Sequence, residues 1–316
     1  MDKPTVSVCI PVFNNQETIK SAIDSVLKQD YKDFEIIVSD NHSDDDTCEI
    51  VKKIGEKRIK LYQNKENIGW RLNSSRAFEL ASGEYIVTLH ANTMFKKGYL
   101  KRVAELFEKN PSVGIIHFIS EEQKRRYFKN RELMKADDYY SAIANLRVVP
   151  PPTETAYRRE AIMGTGYYEK DYWTCEARLG MNIAKKGYDV LIVGETYVDY
   201  SLETKKKDSQ RVENLMMMFD NTYNFFNEFK NDKKINKQDA YYLKGSVINA
   251  FLFLYRCYLD NHNKLLKKAI SNAERRITNN KEFRHAKTRI FIGKLEMHIR
   301  RIIKRALTTI RKAASH

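Results

Sequence analysis

Polar residues follow two β-branched runs near the start of the chain, residues 6–10 and residues 35–38. The first run leads into the segment 11–14, and the second leads into Asp40. Ligands of open parallel sheets bind beyond the carboxyl ends of the strands, so these polar residues are expected to line one crevice. There the Asp40 carboxylate can accept a hydrogen bond from a nucleobase N–H or a ribose hydroxyl. The alternative is that Asp40 and Ser43 only cap the helix that follows.

One helix must connect the two runs. Its apolar residues recur at the spacing of an amphipathic helix, and they are Ile19, Ile23, Val26 and Leu27. The segment 5–46 is therefore predicted to be a βαβ unit. Further strands are predicted at 85–89 and 113–119, with a helix at 97–109 between them. These elements predict an α/β fold, with a mixed, mainly parallel sheet flanked by helices.

Short segments of the chain, in this order, are similar to one known family. They are residues 7–14 (Ser-Val-Cys-Ile-Pro-Val-Phe-Asn), 35–40 (Glu-Ile-Ile-Val-Ser-Asp), 67–69 (Asn-Ile-Gly) and 81–86 (Ala-Ser-Gly-Glu-Tyr-Ile). They resemble the nucleotide-binding half of the family 2 glycosyltransferases, which have the Rossmann-like GT-A fold. The similarity runs from about Thr5 to Phe95, and scattered matches continue to about Asp199. The resemblance implies an enzyme that moves a sugar from a nucleotide diphosphate, most commonly UDP in this family, to an acceptor.

The resemblance also implies which residues bind the donor. They are Pro11, Phe13, Asn14, Asp40, Asn67, Gly69, Arg71, His90 and Asn92. Asp40 would take the base or the ribose, while Pro11 and Phe13 shape the floor of the pocket. Gly69 would permit close approach of the backbone, and Arg71 offers a planar, charged fork to a phosphate. A solvated loop arginine is the alternative interpretation of Arg71.

The residues after the predicted strand 85–89 depart from the family pattern. The family usually has Asp-x-Asp there, or a variant with His first and Asp third, whose last carboxylate binds a divalent metal. This chain has His90 and Asn92, which point the same way if the strand continues. Mg²⁺ or Mn²⁺ is in doubt, because both prefer anionic oxygen ligands. Three interpretations are open: weak metal binding helped by the diphosphate, metal-independent catalysis in which basic residues replace the cation, and a degenerate, inactive site.

An inverting transferase needs a carboxylate that deprotonates the acceptor hydroxyl. In the family, this base is an acidic residue at the start of a helix, several residues before a Lys-Gly-Tyr-like end. Counting back from residues 186–188 leads to Glu176, and Asp171 is the second choice. The alternative for Glu176 is a carboxylate that only stabilises the amino end of a helix through the macrodipole.

Aromatic residues are abundant in the region that faces the acceptor in the resembling family. Sugars stack on aromatic faces, so the acceptor-binding residues are predicted among Tyr139, Tyr140, Tyr167, Tyr168 and Trp173. The alternative for each is a place in the hydrophobic core.

Composition narrows the class of protein. The chain has 316 residues, of which 42% are hydrophobic, so it is globular and not disordered. Its four cysteines, Cys9, Cys48, Cys175 and Cys257, show no paired spacing, which favours free thiols in a reducing compartment. No run approaches the eighteen or so apolar residues of a spanning helix. We therefore expect a cytoplasmic protein.

The end of the chain is strongly basic. Residues 287–312 contain nine Lys and Arg and one acid, Glu296, within an overall net charge of +15. Ile299, Ile303, Ala306 and Ile310 recur between these cations at helical spacing. A basic amphipathic helix of this kind lies on anionic bilayers. The alternatives are packing on the body of the protein or on a second subunit as a homo-oligomer; nucleic acid is not expected, because no recognition motif is present.

Two domains are predicted, with a boundary between residues 203 and 204. Residues 1–203 form the GT-A nucleotide-sugar-binding and catalytic domain, and residues 204–316 form a helical region that ends in the basic helix. The predicted function is an inverting glycosyltransferase that uses a UDP-sugar and a glycan or lipid-linked acceptor in cell-surface polysaccharide synthesis. It would act at the inner face of the cell membrane through residues 287–316. The alternative is a degenerate GT-A protein that serves as a nucleotide-binding or scaffolding module at the membrane.

Overall fold

The computed structural model describes residues 4–144, 154–168, 175–202, 219–220, 222–224, 226–228, 237–261, 264–283 and 286–313. Contacts divide the chain into two compact units, Met1–Lys205 and Lys206–His316. Within the described ranges, no helix is both long enough and apolar enough to span a bilayer.

The first unit alternates strands and helices. Its strands are β1 (Val6–Val12), β2 (Phe34–Asp40), β3 (Ile59–Gln63), β4 (Tyr85–Thr88), β5 (Met94–Phe95), β6 (Val113–Phe118), β7 (Leu133–Met134), β8 (Thr155–Arg158), β9 (Asp189–Val193) and β10 (Val198–Asp199). Its helices are α1 (Ile19–Leu27), α2 (Thr47–Ile54), α3 (Trp70–Leu80), α4 (Tyr99–Lys109), α5 (Glu121–Phe128), α6 (Ala136–Ala144), α7 (Arg159–Ile162) and α8 (Cys175–Lys185). The predicted helix and strands therefore form within two residues of their expected bounds.

One sheet organises this unit, in the order β3-β2-β1-β4-β8-β6-β9-β7. The strands β3, β2, β1 and β4 are parallel, and β6 is parallel to β9. β8 is antiparallel to both of its neighbours, and β7 is antiparallel to β9. β5 and β10 form a separate two-stranded ribbon. The prediction of a mixed, mainly parallel sheet flanked by helices is confirmed.

The central strands are apolar along their length because helices cover the sheet. Val8, Ile36 and Val87 have no exposed surface, and Ile23 and Val26 of α1 are equally buried. β1 was expected to stop at Pro11, but it continues to Val12. Its pairing with β4 ends at Cys9 and Thr88, whereas its pairing with β2 continues to Val12 and Asp40. Pro11 therefore lies where β1 has a partner on one side only, and there a missing N–H is tolerated.

The buried carboxylate of Glu35 lies at the amino ends of the strands, opposite the ends where Asp40 lies, and it joins neighbouring segments there. Glu35 accepts hydrogen bonds from Ser7 Oγ (2.6 Å), Lys60 Nζ (2.6 Å) and the Ser82 backbone N–H (2.7 Å). A Cβ at Gly83 would lie 2.7 Å from the Ser7 backbone nitrogen, so only glycine fits there. The segment 81–86 is thus architectural, and it lies far along the strands from Asp40.

Replacing Glu35 by glutamine should lower the free energy of unfolding by about 2–4 kcal/mol at pH 7, because buried donors lose a charged acceptor. Burial alone would raise the pKa of Glu35, but hydrogen bonds from Lys60, Ser7 and Ser82 outweigh it and lower the pKa. The stabilisation is therefore fully present above the ordinary pKa of 4.5 and is lost as pH falls below it. Urea unfolding of both proteins between pH 7 and pH 3 should show this difference shrinking. The exposed Glu49→Gln change should have little effect, and a difference that is independent of pH would contradict the assignment.

The second unit is helical where it is described, as predicted. Its helices are α9 (Lys237–Asn261), α10 (Lys264–Asn279) and α11 (Ala286–Ala313), and a short 3₁₀ turn (Lys281–Phe283) precedes α11. Residues 219–220, 222–224 and 226–228 are also helical. Ile290 of α11 is buried, and Lys294 pairs with Glu274 of α10 at 2.8 Å. One face of α11 therefore packs within this unit.

Candidate active site

The loops that follow β1 and β2 are hydrogen-bonded to each other. The Asn14 backbone N–H donates to Ser43 Oγ (2.9 Å), and the Asn14 side-chain oxygen accepts from the Asp44 backbone N–H (3.1 Å). The Asn15 backbone N–H donates to Thr47 Oγ1 (2.9 Å). The structure thus brings the two predicted strand ends together at one edge. Phe13 lies there with 43% of its surface exposed, and Pro11 is half-buried.

Asp40 lies at the end of β2 with no exposed surface. Its carboxylate accepts from the Ser43 backbone N–H (3.0 Å), from the Ser43 hydroxyl and from Gln63 Nε2 (3.1 Å). Burial and the neighbouring Asp40 carboxylate raise the pKa of Cys48 to about 12. Helix α2 begins only at Thr47, so Asp40 does not cap it. The carboxylate instead closes the turn after β2 by accepting from the backbone N–H three residues on.

A cluster of asparagines attaches the next loop to the end of β2. The Asn41 side chain donates to Asn67 Oδ1 (2.7 Å), and Asn64 Nδ2 donates to Asn73 Oδ1 (2.8 Å). Asn73 Nδ2 donates to the Ser39 carbonyl (2.8 Å). Asn67 therefore positions the loop through its side chain. Asn64 and Asn73 were missed by the sequence reasoning. Only their proximity in the folded structure shows their role, and no pattern in the sequence does.

Gly69 and Arg71 lie at the start of α3. Gly69 has a φ of +83°, and the space around its missing side chain is open. The positive φ at this position favours glycine. Arg71 lies in the first helical turn with its guanidinium 4.6 Å from the Trp70 ring centre, and it is half-buried. The interpretation as a solvated loop arginine is therefore wrong.

Residues 90–93 form a turn beyond β4, because the His90 carbonyl accepts from the Thr93 backbone N–H (3.0 Å). β4 ends at Thr88, so the alternation of a strand does not extend to His90 and Asn92. Both side chains are half-buried. Among the described residues, no group of three or more His, Cys, Asp or Glu side chains could hold a metal ion. An imidazole and an amide supply no negative charge, so a divalent ion would need anionic oxygens from the donor diphosphate.

Glu176 lies in the first turn of α8 and is 9% exposed. Burial raises its pKa above the ordinary 4.5, although its own backbone N–H, the Cys175 thiol and the charge of Arg71 act in the opposite direction. The positive charge of Arg71 thus favours the ionised form of the predicted base. A carboxylate with a raised pKa is a stronger base than a solvated one. Asp171 and Trp173 lie outside the described residues.

A second buried carboxylate, that of Glu154, lies at the carboxyl ends of the strands and was not predicted. Glu154 precedes β8 and is 6% exposed. β8 pairs with β4 through Val87 and Ala156, so Glu154 lies level with Leu89 at the carboxyl end of β4. Burial raises its pKa to about 7, although the Val198 backbone N–H donates to it. No sequence signal marks it, because only the antiparallel insertion of β8 brings it there.

The tyrosines predicted to bind an acceptor lie largely in the core. Tyr139 and Tyr140 are 0% and 1% exposed, so they present no ring face to a sugar. Tyr139 Oη is 2.6 Å from His117 Nε2, and burial lowers the pKa of His117 to about 3. Tyr168 is buried against Phe78, with ring centres 5.3 Å apart. Trp70, at the start of α3, is 46% exposed, and the sequence reasoning did not select it.

Residues 7–165 match the family model described as Glycosyl transferase family 2. The match covers half of the chain and includes every strand from β1 to β8. The chain belongs to glycosyl transferase family 2. Asp40, Arg71, His90 and Asn92 all lie within the family 2 region, whereas Glu176 lies just beyond it.

Two curated relatives of this family 2 chain are transferases by name. A Campylobacter jejuni GalNAc(5)-diNAcBac-PP-undecaprenol beta-1,3-glucosyltransferase is 36% identical over 105 residues, which are 32% of this chain and 34% of that protein. An Escherichia coli UDP-Glc:alpha-D-GlcNAc-diphosphoundecaprenol beta-1,3-glucosyltransferase is 34% identical over 110 residues, which are 35% of this chain and 44% of that protein. The chain thus spans less than half the length of either.

A solved structure supports the fold over a longer span. The mannosyltransferase PcManGT from Pyrobaculum calidifontis, solved with GDP-Man and Mn²⁺, superposes with a TM-score of 0.58. The match covers 96% of this chain and 88% of that one at 16% identity. The shared feature is the GT-A fold.

Proposed function

We propose that the chain transfers a sugar from a UDP-sugar to a glycan or lipid-linked acceptor, with inversion at the anomeric carbon. The observation that carries this proposal is the joining of the loops after β1 and β2 beside the buried Asp40, within the segment that matches family 2. The charge of Arg71, in the predicted donor segment, favours the ionised form of Glu176, which supports a common site for both. Membership of family 2 and the names of the relatives in Campylobacter jejuni and Escherichia coli support this class of reaction.

In this mechanism, Glu176 takes the proton of the acceptor hydroxyl. The hydroxyl oxygen then forms a bond to the anomeric carbon while the bond from that carbon to the diphosphate breaks. The electron pair of the broken bond stays on the nucleoside diphosphate. Arg71 stabilises that charge, since a guanidinium matches phosphate oxygens in geometry and sign.

The nucleoside is proposed to bind at the joined ends of β1 and β2. Pro11 and Phe13 would contact the base, Asn14 would shape the loop, and Asp40 would accept from a base N–H. The UDP-Glc donor named for the Escherichia coli relative supports uridine. Because PcManGT was solved with GDP-Man, a guanosine donor is the alternative to exclude.

A thermal-shift screen tests donor and metal together. UDP, GDP and their sugars should be compared with Mg²⁺, Mn²⁺ and a chelator, because ligands that bind only the folded state raise Tm. We expect UDP to raise Tm, Mn²⁺ alone to leave it unchanged, and both together to raise it most. A divalent ion would supply charge neutralisation, with His90 and Asn92 beside the diphosphate oxygens. A shift with Mn²⁺ alone would reveal a metal site that the described residues do not contain, and no shift with any nucleotide would favour a scaffolding protein.

Helix α11 is proposed to hold the protein on the anionic inner face of the cell membrane. Among its residues 286–303, the large exposed apolar side chains lie on one stripe, and they are Phe291, Ile292, Leu295, Ile299, Ile302 and Ile303. This stripe lies away from the face that carries the buried Ile290. Exposed apolar side chains among many cations fit an anionic bilayer surface. The undecaprenol in the names of the two relatives supports a membrane-bound acceptor.

Liposome flotation tests this placement on the full chain. The wild type should float with vesicles that contain anionic lipid, and the triple variant Ile299→Ser, Ile302→Ser, Ile303→Ser should stay with the unbound protein. The matched control is Leu133→Ser with Met163→Ser, which also removes exposed apolar side chains. If the triple variant floats as well as the wild type, the membrane proposal is wrong. If it changes only the oligomeric state, the stripe is a subunit interface.

A further inference from the structure

The carboxylate of Asp40 is enclosed by groups of the chain itself. The Ser43 backbone N–H and hydroxyl and the Gln63 amide all donate to it. These three donors use most of the about four lone-pair sites of a carboxylate. Asp40 also has no exposed surface. A ligand N–H can therefore reach Asp40 only where one of these donors leaves.

Among the three donors, Gln63 can leave at the smallest cost. Both Ser43 groups belong to the turn that Asp40 itself closes. Gln63 is exposed and is the last residue of β3, which lies at the edge of the sheet. Its Nε2 lies 3.1 Å from Asp40 Oδ2 and 3.4 Å from Cys48 Sγ. Rotation of its side chain toward solvent requires no change of the backbone.

We propose that the Gln63 side-chain amide occupies on Asp40 the place of the nucleobase N–H, and that it leaves when the donor binds. This inference rests on the proposed function, because Asp40 is taken as the acceptor for the base. An amide N–H and a base N–H are equivalent donors toward a carboxylate oxygen. Gln63 keeps the buried charge satisfied and thereby lowers the affinity for the nucleotide. It is a positioning residue that sets donor affinity.

Isothermal titration of UDP into the full chain tests this role. Gln63→Ala and Gln63→Met should each bind UDP about fivefold more tightly than the wild type, because binding no longer breaks a hydrogen bond. The methionine variant keeps the length of the side chain, so it separates loss of the amide from relief of a steric block. In an Asp40→Ala background, Gln63→Ala should change the UDP affinity by less than about twofold. The carboxylate for which the Gln63 amide and the base N–H compete is then gone.

The outcomes separate this inference from the proposed function. Unchanged or weaker UDP binding by both Gln63 variants, with normal binding by the wild type, would overturn the role of Gln63 and leave the transferase proposal intact. An equal gain in UDP affinity from Gln63→Ala in the wild-type and Asp40→Ala backgrounds would also overturn it. If neither UDP nor GDP binds any of the proteins, the proposed function fails and the role of Gln63 fails with it.

Discussion

Replacing Asp40 by asparagine should weaken UDP binding by about 10–100-fold. A hydrogen bond to a charged acceptor is worth about 1.5–3 kcal/mol, which corresponds to that range of affinity. Asparagine keeps the shape of the side chain but loses the charge and turns one acceptor into a donor. Isothermal titration of UDP, with a thermal unfolding curve of each protein, measures the effect.

Two control variants separate recognition from folding. Asp44→Asn makes the same change of charge in the same loop, at an exposed side chain, and should bind UDP as the wild type does. Ser43→Ala removes the hydroxyl that donates to Asp40 but leaves the carboxylate. If Ser43→Ala lowers the affinity as strongly as Asp40→Asn, the turn determines binding and Asp40 is not the base acceptor.

Replacing Glu176 by glutamine should lower the rate of UDP release from a UDP-sugar by about 10²–10⁴-fold, the range expected for loss of a general base. UDP binding should change by less than about threefold, because the nucleoside site is proposed at the ends of β1 and β2. The rate can be measured with water as the acceptor, using the UDP-sugar that the thermal-shift screen selects. A variant with the wild-type rate would exclude Glu176 as the base and leave Asp171 as the next choice.

The pH dependence of the rate of UDP release should reflect the ionisation of Glu176. Glu176 acts as a base only when it is deprotonated, so the wild-type rate should rise with pH through a pKa that burial places above 4.5. Glu154→Gln is the matched control, because burial raises the pKa of Glu154 to about 7 at the same edge of the sheet. The rise in rate should persist in Glu154→Gln. If it disappears there, Glu154 is the group that titrates, and the assignment of the base must change.

The elements could be predicted from the sequence because their signals are local. The β-branched runs of β1 and β2 and the helical period of α1 each lie within a few consecutive residues. The parallel pairing of β1 with β2 also followed, since a strand, a helix and a strand in succession favour parallel neighbours. The strand β8 was not predicted, because its antiparallel insertion between β4 and β6 depends on pairing with residues far away in the chain.

The residues of the candidate site stay a prediction, and the hydrogen bonds around them could not be predicted. Asp40, Arg71 and Glu176 were selected through the family resemblance, and their proximity to one another was expected only as a consequence of it. The pairing of Asp40 with Gln63 spans 23 positions, and that of Ser39 with Asn73 spans 34. Such contacts leave no pattern in the sequence, because each partner is an ordinary polar residue in its own segment.

Burial distinguishes the aromatic residues of the core from those that are open to a ligand. Tyr139 and Tyr140 are as suitable as Phe13 for stacking on a ligand when only residue type is known, yet the first two lie in the core and Phe13 is exposed. The sequence by itself determined which segments become strands and helices and which polar residues end them, because those preferences act between near neighbours. Only the tertiary structure decided which side chains reach a ligand, since that depends on what the distant parts of the chain cover.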